Sequence, residues 1–174
     1  MKENLTIALA GNPNSGKTTI YNALTGARQH IGNYPGVTVE KKESTITYNN
    51  QQLKIIDLPG TYSLTAYSVE EVVARNVIIN EKPDVVVDII DSSNLERNLY
   101  LAVQLMELRI PLVFVFNMKD MAQEMGIKID IKSLSNLFGV PIVETVGSKG
   151  DGVKNILDEA IKAAQVPEIK YPVI

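Results

Sequence analysis

A length of 174 residues fits one domain with a single hydrophobic core. The formal net charge of −3, with 45% hydrophobic and 21% charged residues, is typical of a soluble globular protein and predicts no nucleic-acid partner. The chain has no cysteine, which excludes disulfides, thiolate chemistry and cysteine-based metal sites. No apolar run approaches the ~20 residues of a membrane-spanning helix and no signal peptide is recognisable, so the chain as given is expected to be soluble.

Strand and helix patterns alternate along the chain, which predicts repeated βα units around a mostly parallel sheet. The strands are predicted at 5–10, 42–48, 53–57, 84–91, 112–117 and 141–144. The helices are predicted at 17–24, 69–80, 95–108, 131–138 and 152–164, with long loops at 27–40 and 58–68. Because Asn49-Asn50 marks a tight turn, the second and third strands should form an antiparallel hairpin. The expected fold is α/β, a six-stranded sheet with one antiparallel edge strand and helices on both faces.

The segment GNPNSGKT at residues 11–18 fits the phosphate-binding pattern G-x-x-x-x-G-K-[S/T] of P-loop NTPases, between a predicted strand and a predicted helix. Its glycines let main-chain amides wrap around phosphate oxygens, and the helix N-terminus adds positive charge. Lys17 is predicted to act on the β- and γ-phosphates as a catalytic group, and Thr18 to bind Mg²⁺. The nucleotide-binding residues expected here are Asn12, Pro13, Asn14, Ser15, Gly16, Lys17, Thr18 and Thr19. The position between a predicted strand and a predicted helix favours a phosphate site over a chance glycine-rich turn. The motif does not distinguish between an ATPase, a kinase and a GTPase.

Two further motifs favour GTP. Asp57-Leu58-Pro59-Gly60 has the form D-x-x-G at the end of a strand, so Asp57 can hold Mg²⁺ through a water and the Gly60 amide can meet the γ-phosphate as a catalytic group. Asn117-Met118-Lys119-Asp120 resembles the guanine motif N-K-x-D, with Met118 in place of its lysine. Asp120 can accept hydrogen bonds from guanine N1–H and the 2-amino group, which adenine does not offer in that arrangement. Either segment alone also fits an ordinary strand end, but the order of the three motifs favours a GTP site.

The segment 145–149 follows the last predicted strand, where GTPases carry another guanine-contacting loop. Counted from Gly150-Asp151-Gly152, Gly147 would give a main-chain amide to guanine O6, with Ser148 beside it. The match to the S-A-K triplet is poor, and a plain strand-to-helix loop fits the segment equally well.

The loops 27–40 and 58–68 are the candidate switches, which would change with the γ-phosphate. Thr38, after Gly36 and Val37, is the candidate for a second Mg²⁺ hydroxyl ligand and for a catalytic group whose main chain senses the γ-phosphate. All three residues are expected at the nucleotide. Thr61 stands where many GTPases have a water-orienting glutamine, so main-chain groups, a partner, or Glu70 or Glu71 must replace it. In the structural interpretation, both glutamates are simply solvated residues in the first turn of a helix.

Two other side chains in the first switch loop remain ambiguous. Tyr34 can cover the nucleotide or pack the loop. His30, the only histidine, has no acidic cluster around it in sequence and is more typical of a surface residue than of a metal ligand.

The segments GNPNSGKTTIYNALTG, IGNYPGVTVE, DLPGTYSL and NMKD together resemble the N-terminal G domain of the prokaryotic ferrous-iron transport protein B family, over roughly residues 5–165. The resemblance implies a slow GTPase at the cytoplasmic face of the membrane that regulates Fe²⁺ uptake. It implies a G domain over 1–166 and, from 167–174, the start of a linker to a helical domain and membrane spans. The implied cofactors are GTP or GDP, Mg²⁺ and a stimulating K⁺, held by Asn14 and carbonyls near Gly32 and Tyr34. A homo-oligomer formed through the G domain is a further candidate partner.

Two other functions fit parts of the sequence. A soluble GTPase of ribosome assembly or tRNA modification also uses asparagine in the phosphate loop, but usually has a basic face or an RNA-binding domain. A non-enzymatic nucleotide-binding module is suggested by the missing glutamine at Thr61.

Overall fold

A computed structural model of the protein describes residues 2–26, 29–166 and 169–172. Seven strands are present in this part of the chain: β1 Asn4–Gly11, β2 His30–Asn33, β3 Glu40–Tyr48, β4 Gln51–Asp57, β5 Val85–Asp91, β6 Leu112–Asn117 and β7 Ile142–Glu144. The α-helices are α1 Lys17–Thr25, α2 Val69–Asn76, α3 Leu95–Glu107, α4 Lys119–Glu124, α5 Ile131–Phe138 and α6 Val153–Ala164. A π-helical turn, Val77–Glu81, continues α2, and 3-10 turns occupy Ser92–Asn94 and Gly147–Lys149.

The seven strands form one sheet in the order β2-β3-β4-β1-β5-β6-β7. The pairs from β4 to β7 are parallel, whereas β2 and β3 run antiparallel to their neighbours. The carboxyl ends of β1, β4, β5 and β6 therefore meet at one edge, where ligands bind in open α/β sheets. The α/β class, the hairpin and the mostly parallel sheet were predicted correctly, but the count of six strands with one antiparallel edge strand was wrong.

The extra strand is β2, which lies inside the predicted loop 27–40. Its four residues are all exposed and pair only with β3. A short strand on the sheet edge buries no apolar face, so it leaves no alternation in the sequence. Helix α4 was also missed, because it spans only six residues.

Two apolar layers cover the faces of the sheet. On one face, the core between the sheet and helices α2, α3 and α5 contains Ile56, Phe114 and Leu101. On the other face, Ile7 and Val87 pack against α1 and α6. Strands β1, β5 and β6 are buried on both faces, as expected for the centre of a parallel sheet.

The predicted linker 167–174 is partly described, and its described part contacts the domain. The Tyr171 hydroxyl donates to the Ile110 carbonyl at 2.5 Å, and its ring packs against the core on the α3 face. Burial raises the pKa of this phenol. The domain boundary itself stays a prediction, and residues 167–168 and 173–174 lie outside the described residues. Within the described ranges, none of the helices combines the length and the apolar character required to cross a membrane.

Candidate functional site

The phosphate-loop segment connects β1 to α1 at the ligand-binding edge of the sheet. Gly16 precedes α1 with a φ of 87°, and a Cβ there would lie 2.2 Å from Asn117 Nδ2, so this position requires glycine. The first amides of the nine-residue helix α1 have no partner within the helix and face the loop. The segment is therefore preorganised to receive an anion.

A cavity of about 540 Å³ lies over this loop. Its lining contains most of the predicted phosphate-binding residues, namely Asn12, Pro13, Asn14, Gly16, Lys17 and Thr18, with Gly60 and Met118. Ser15 lies just beneath, and its buried Oγ has no hydrogen-bond partner, like Asn12 Oδ1. Unpaired buried polar atoms carry an energetic cost, so the loop bears a cost in this arrangement.

Lys17 and Asp57 form a direct ion pair below this cavity, and each side chain is only 10% exposed. Asp57 ends β4 and Lys17 begins α1, so the pair joins the two segments predicted to hold phosphate and Mg²⁺. A buried charge left without its partner costs several kcal/mol, about 3–5 in typical proteins. Any ligand that separates the pair must therefore bring compensating charges for both groups.

A second cavity, of about 200 Å³, adjoins the first one, since Gly16 and Met118 line both. The other predicted residues in its lining are Thr19, Asn117, Asp120, Gly147 and Ser148. Val146, which belongs to the predicted guanine loop 145–149, and Met121, which was not predicted, complete the lining. Met121 directly follows Asp120 in the sequence, and this adjacency to a predicted base-binding residue was the signal that could have identified it.

Asn117 joins three loops at the second cavity. Its Nδ2 donates to the Ser15 carbonyl at 3.1 Å, which ties this loop to the phosphate loop. Its Oδ1 accepts from Thr145 Oγ1 and from the Gly147 amide, both at 2.9 Å. The Gly147 amide, predicted to contact guanine O6, is therefore already engaged by Asn117 in this arrangement.

The Asp120 carboxylate opens toward the second cavity at the start of α4. It accepts from the Met121 amide at 3.0 Å, and Lys149 Nζ lies 3.6 Å from its second oxygen. Met118, just before the helix, has a left-handed φ of 59°. Such a turn is uncommon for a residue with a side chain, and it sets the first turn of α4 against the cavity.

Tyr34 could cover the nucleotide or pack the loop, and in the structure it packs the loop. The ring is only 4% exposed and lies in the core on the α2 face, where burial raises the pKa of its phenol. Lys41 Nζ lies 5.4 Å from the ring centroid. This burial holds the first switch loop against the domain, and Gly36 and Thr38 are exposed and lie outside both cavities. Val37 packs against the same core, also away from the cavities.

The second switch loop is fixed at both of its ends. The Thr61 amide donates to the Gly11 carbonyl at 3.1 Å, and Thr61 is buried. At the other end, Ser68 caps α2 by accepting from the Glu71 amide at 3.1 Å. The Glu71 carboxylate accepts from Thr65 Oγ1 and the Tyr67 amide, both at 3.0 Å. Glu71 thus stabilises the start of a helix, as in the structural interpretation of this residue.

Comparison with known proteins assigns a family to this arrangement. A family model described as "Ferrous iron transport protein B" matches residues 5–160. The chain belongs to this family. It is 48% identical over 164 residues to the "Fe(2+) transporter FeoB" of Salmonella typhimurium and 47% identical to that of Escherichia coli K12. Each alignment covers 92% of this chain and 21% of the relative, so the chain spans about a fifth of the length of these transporters.

Solved structures of the same family share the fold. The FeoB G-domain from Methanococcus jannaschii is 45% identical with a TM-score of 0.85, and the match covers 94% of this chain and 99% of that one. The cytosolic domain of T. maritima FeoB in its GMPPNP form is 39% identical with a TM-score of 0.93, covering 98% of this chain and 68% of that one. The fold is that of a FeoB G domain, in agreement with the resemblance found in the sequence.

Proposed function

We propose that this chain is the G domain of a ferrous-iron transporter, which binds a guanine nucleotide and hydrolyses GTP slowly as a switch. The observation that carries the proposal is the meeting of two cavities, one over the phosphate loop and one beside Asp120, at Gly16 and Met118. Together they place the phosphate-loop residues next to the residues predicted to bind the base. The family membership supports the same function and favours it over ribosome assembly or tRNA modification.

The residues at the first cavity fit Mg²⁺ in part. Oxygen ligands suit this ion, and Thr18 and Asp57 offer a hydroxyl and a carboxylate on neighbouring elements. Thr38 lies apart from the cavity, so its proposed ligation requires the first switch loop to move. When bound, Mg²⁺ would supply positive charge to the phosphate oxygens.

The chain's own groups account for the other requirements of the reaction. Lys17, released from Asp57, neutralises charge on the β- and γ-phosphates. The Gly60 amide and main-chain groups of the first switch loop orient the attacking water, because Thr61 is buried and its amide is bonded to Gly11. Asp120 and Asn117 hold the base. Such positioning by main-chain groups is consistent with a slow intrinsic rate.

The role in iron uptake is proposed from the relatives. They are described as Fe²⁺ transporters and are almost five times as long as the aligned part of this chain. We infer that the domain lies at the cytoplasmic face of a membrane, joined to helical and membrane-spanning regions of the same protein.

Nucleotide discrimination tests the function. Purified protein with Mg²⁺ should release phosphate from GTP at least about 100-fold faster than from ATP at equal subsaturating concentrations, because ATP leaves the Asp120 carboxylate without its donors. The measurement is a phosphate-release assay with both nucleotides, with and without a magnesium chelator. Equal rates for ATP and GTP would contradict a guanine site, and binding without any turnover would favour the non-enzymatic module.

Potassium dependence gives a second prediction. Asn14 lines the phosphate cavity and has a left-handed φ of 65°, and we propose that its side chain helps to hold K⁺ there. Potassium should accelerate GTP hydrolysis by at least about tenfold over sodium, and Asn14→Ala should remove most of this acceleration. The Tyr34 carbonyl, which is a proposed ligand together with the Gly32 carbonyl, accepts from the Val37 amide at 3.3 Å, so binding must reorganise this loop. A variant that keeps the full potassium effect would refute the assignment.

A further inference from the structure

Helix α3 contacts both the phosphate loop and the second switch loop through Arg97. The main-chain carbonyl of Arg97 lies 3.5 Å from Asn12 Nδ2, at the limit of a hydrogen bond. The guanidinium carbon of the same residue lies 4.2 Å from the centroid of the Tyr62 ring. A cation over an aromatic face is attracted to it electrostatically. One residue at the start of α3 thus meets both loops.

Gln104 adds a second contact from the same helix. It lies seven positions after Arg97, or about two helical turns, so both side chains project from one face of α3. Its Oε1 accepts from the Leu64 amide at 2.7 Å. Leu64 is itself buried in the core, so its amide has little access to water. Without Gln104, that amide would lose its partner.

The segment held by these contacts directly follows Gly60. Gly60 lies against the phosphate loop, where an added Cβ would be 3.3 Å from Pro13 Cα. The Thr61 amide is bonded to the Gly11 carbonyl, and Tyr62 and Leu64 are held by α3. The position of the Gly60 amide is therefore set by the phosphate loop on one side and by α3 on the other.

We propose that Arg97 and Gln104 are positioning residues that clamp residues 61–64 to α3, so that the Gly60 amide faces the phosphate cavity. This inference rests on the proposed GTPase function. Neither side chain lines the two cavities. The clamp therefore affects the reaction at the γ-phosphate through Gly60, and it does not affect binding of the diphosphate or the base. Misplacement of a reacting group by about 1 Å costs up to ~100-fold in rate.

The test separates positioning from a merely structural role. Arg97→Ala and Gln104→Leu should each lower kcat for GTP by about tenfold while the Kd for GDP changes less than about twofold. Arg97→Lys keeps a cation above Tyr62, and Gln104→Glu keeps an accepting oxygen, so both should retain most of the rate. Glu107→Gln, at an exposed position on α3, is the matched control.

A double-mutant cycle identifies the route of the Arg97 effect. In a Tyr62→Leu background, Arg97→Ala should cause little further loss of kcat, because the ring that it contacts is gone. Additive losses, an unchanged or raised kcat, or a parallel loss of GDP affinity would each overturn the clamp. A parent chain that does not turn over GTP would overturn the proposed function instead, whereas an active parent with unaffected variants would overturn the clamp alone.

Discussion

Replacing Asp120 by asparagine should change the preferred base from guanine to xanthine. A carboxylate accepts from both N1–H and the 2-amino group of guanine, whereas an asparagine amide turns one donor toward another donor. Xanthine has a carbonyl at C2, which accepts from that amide, so the pairing is restored. We expect GTP affinity to fall on the order of 10³-fold, about 4 kcal/mol, because a buried polar group is left without its partner.

The measurement is a pair of titrations with GTP and XTP, followed by turnover at saturating XTP. If Asp120 only selects the base, Asp120→Asn should hydrolyse XTP at a kcat close to that of the parent with GTP. Lys149→Gln is the matched control, since it removes the ion pair at 3.6 Å and leaves the carboxylate in place. An exposed pair contributes little, so the control should keep its guanine preference. An Asp120→Asn protein that still prefers GTP would show that the base is chosen elsewhere.

The location of the candidate site could be predicted from sequence because its segments follow strongly apolar strands. Residues 11–18, 57–60 and 117–120 come at the ends of β1, β4 and β6, and parallel strands bring their carboxyl ends to one edge. The local patterns decide which residues end each strand. Topology then brings them together, and residues of all three segments line the adjoining cavities, although Gly60 is the only residue of 57–60 that does so.

The side-chain pairings within the site could not be predicted in the same way. The ion pair of Lys17 with Asp57, the bond of the Gly147 amide to Asn117 and the burial of Tyr34 all join residues far apart in the sequence. Neither periodicity nor a motif encodes which of several nearby partners a flexible side chain takes. Strand β2 was missed for a related reason, since an exposed edge strand is specified by its pairing with β3.

Asp88 is a charged residue type in the middle of the apolar strand β5, and nothing in the proposed reaction requires it. It is 1% exposed, and one carboxyl oxygen has no hydrogen-bond partner. Its neighbours in register are Ala10 on β1 and Phe114 on β6. By strand alternation it shares its face with Val86 and Ile90, which belong to the core on the α3 side. Burial there raises the pKa of the Asp88 carboxyl from 3.8 to about 8.

The raised pKa should make the domain less stable as the pH rises from about 4 to 8. Below this window both folded and unfolded chains hold the proton, so the carboxyl adds no pH dependence to the free energy of unfolding. Within it the folded chain keeps the proton and the unfolded chain releases it, so the free energy of unfolding falls as the pH rises. Above about 8 the folded carboxyl ionises and the full penalty, at most about 6 kcal/mol, is present.

Asp88→Asn should remove this dependence, because the amide stays neutral at every pH and has nearly the same shape. We expect the variant to gain stability over the parent progressively between pH 5 and pH 8.5, by several kcal/mol at the upper end. Urea unfolding at about pH 5, 7 and 8.5 measures the difference, without nucleotide, since a ligand would add its own stabilisation. Glu124→Gln, at an exposed position in α4, removes a carboxylate without any burial and should follow the parent curve. If the free energies of unfolding of Asp88→Asn and the parent differ by the same amount at every pH in this range, Asp88 does not release a proton on unfolding. The Asp88 carboxylate would then already be ionised in the folded chain and stabilised there by another group.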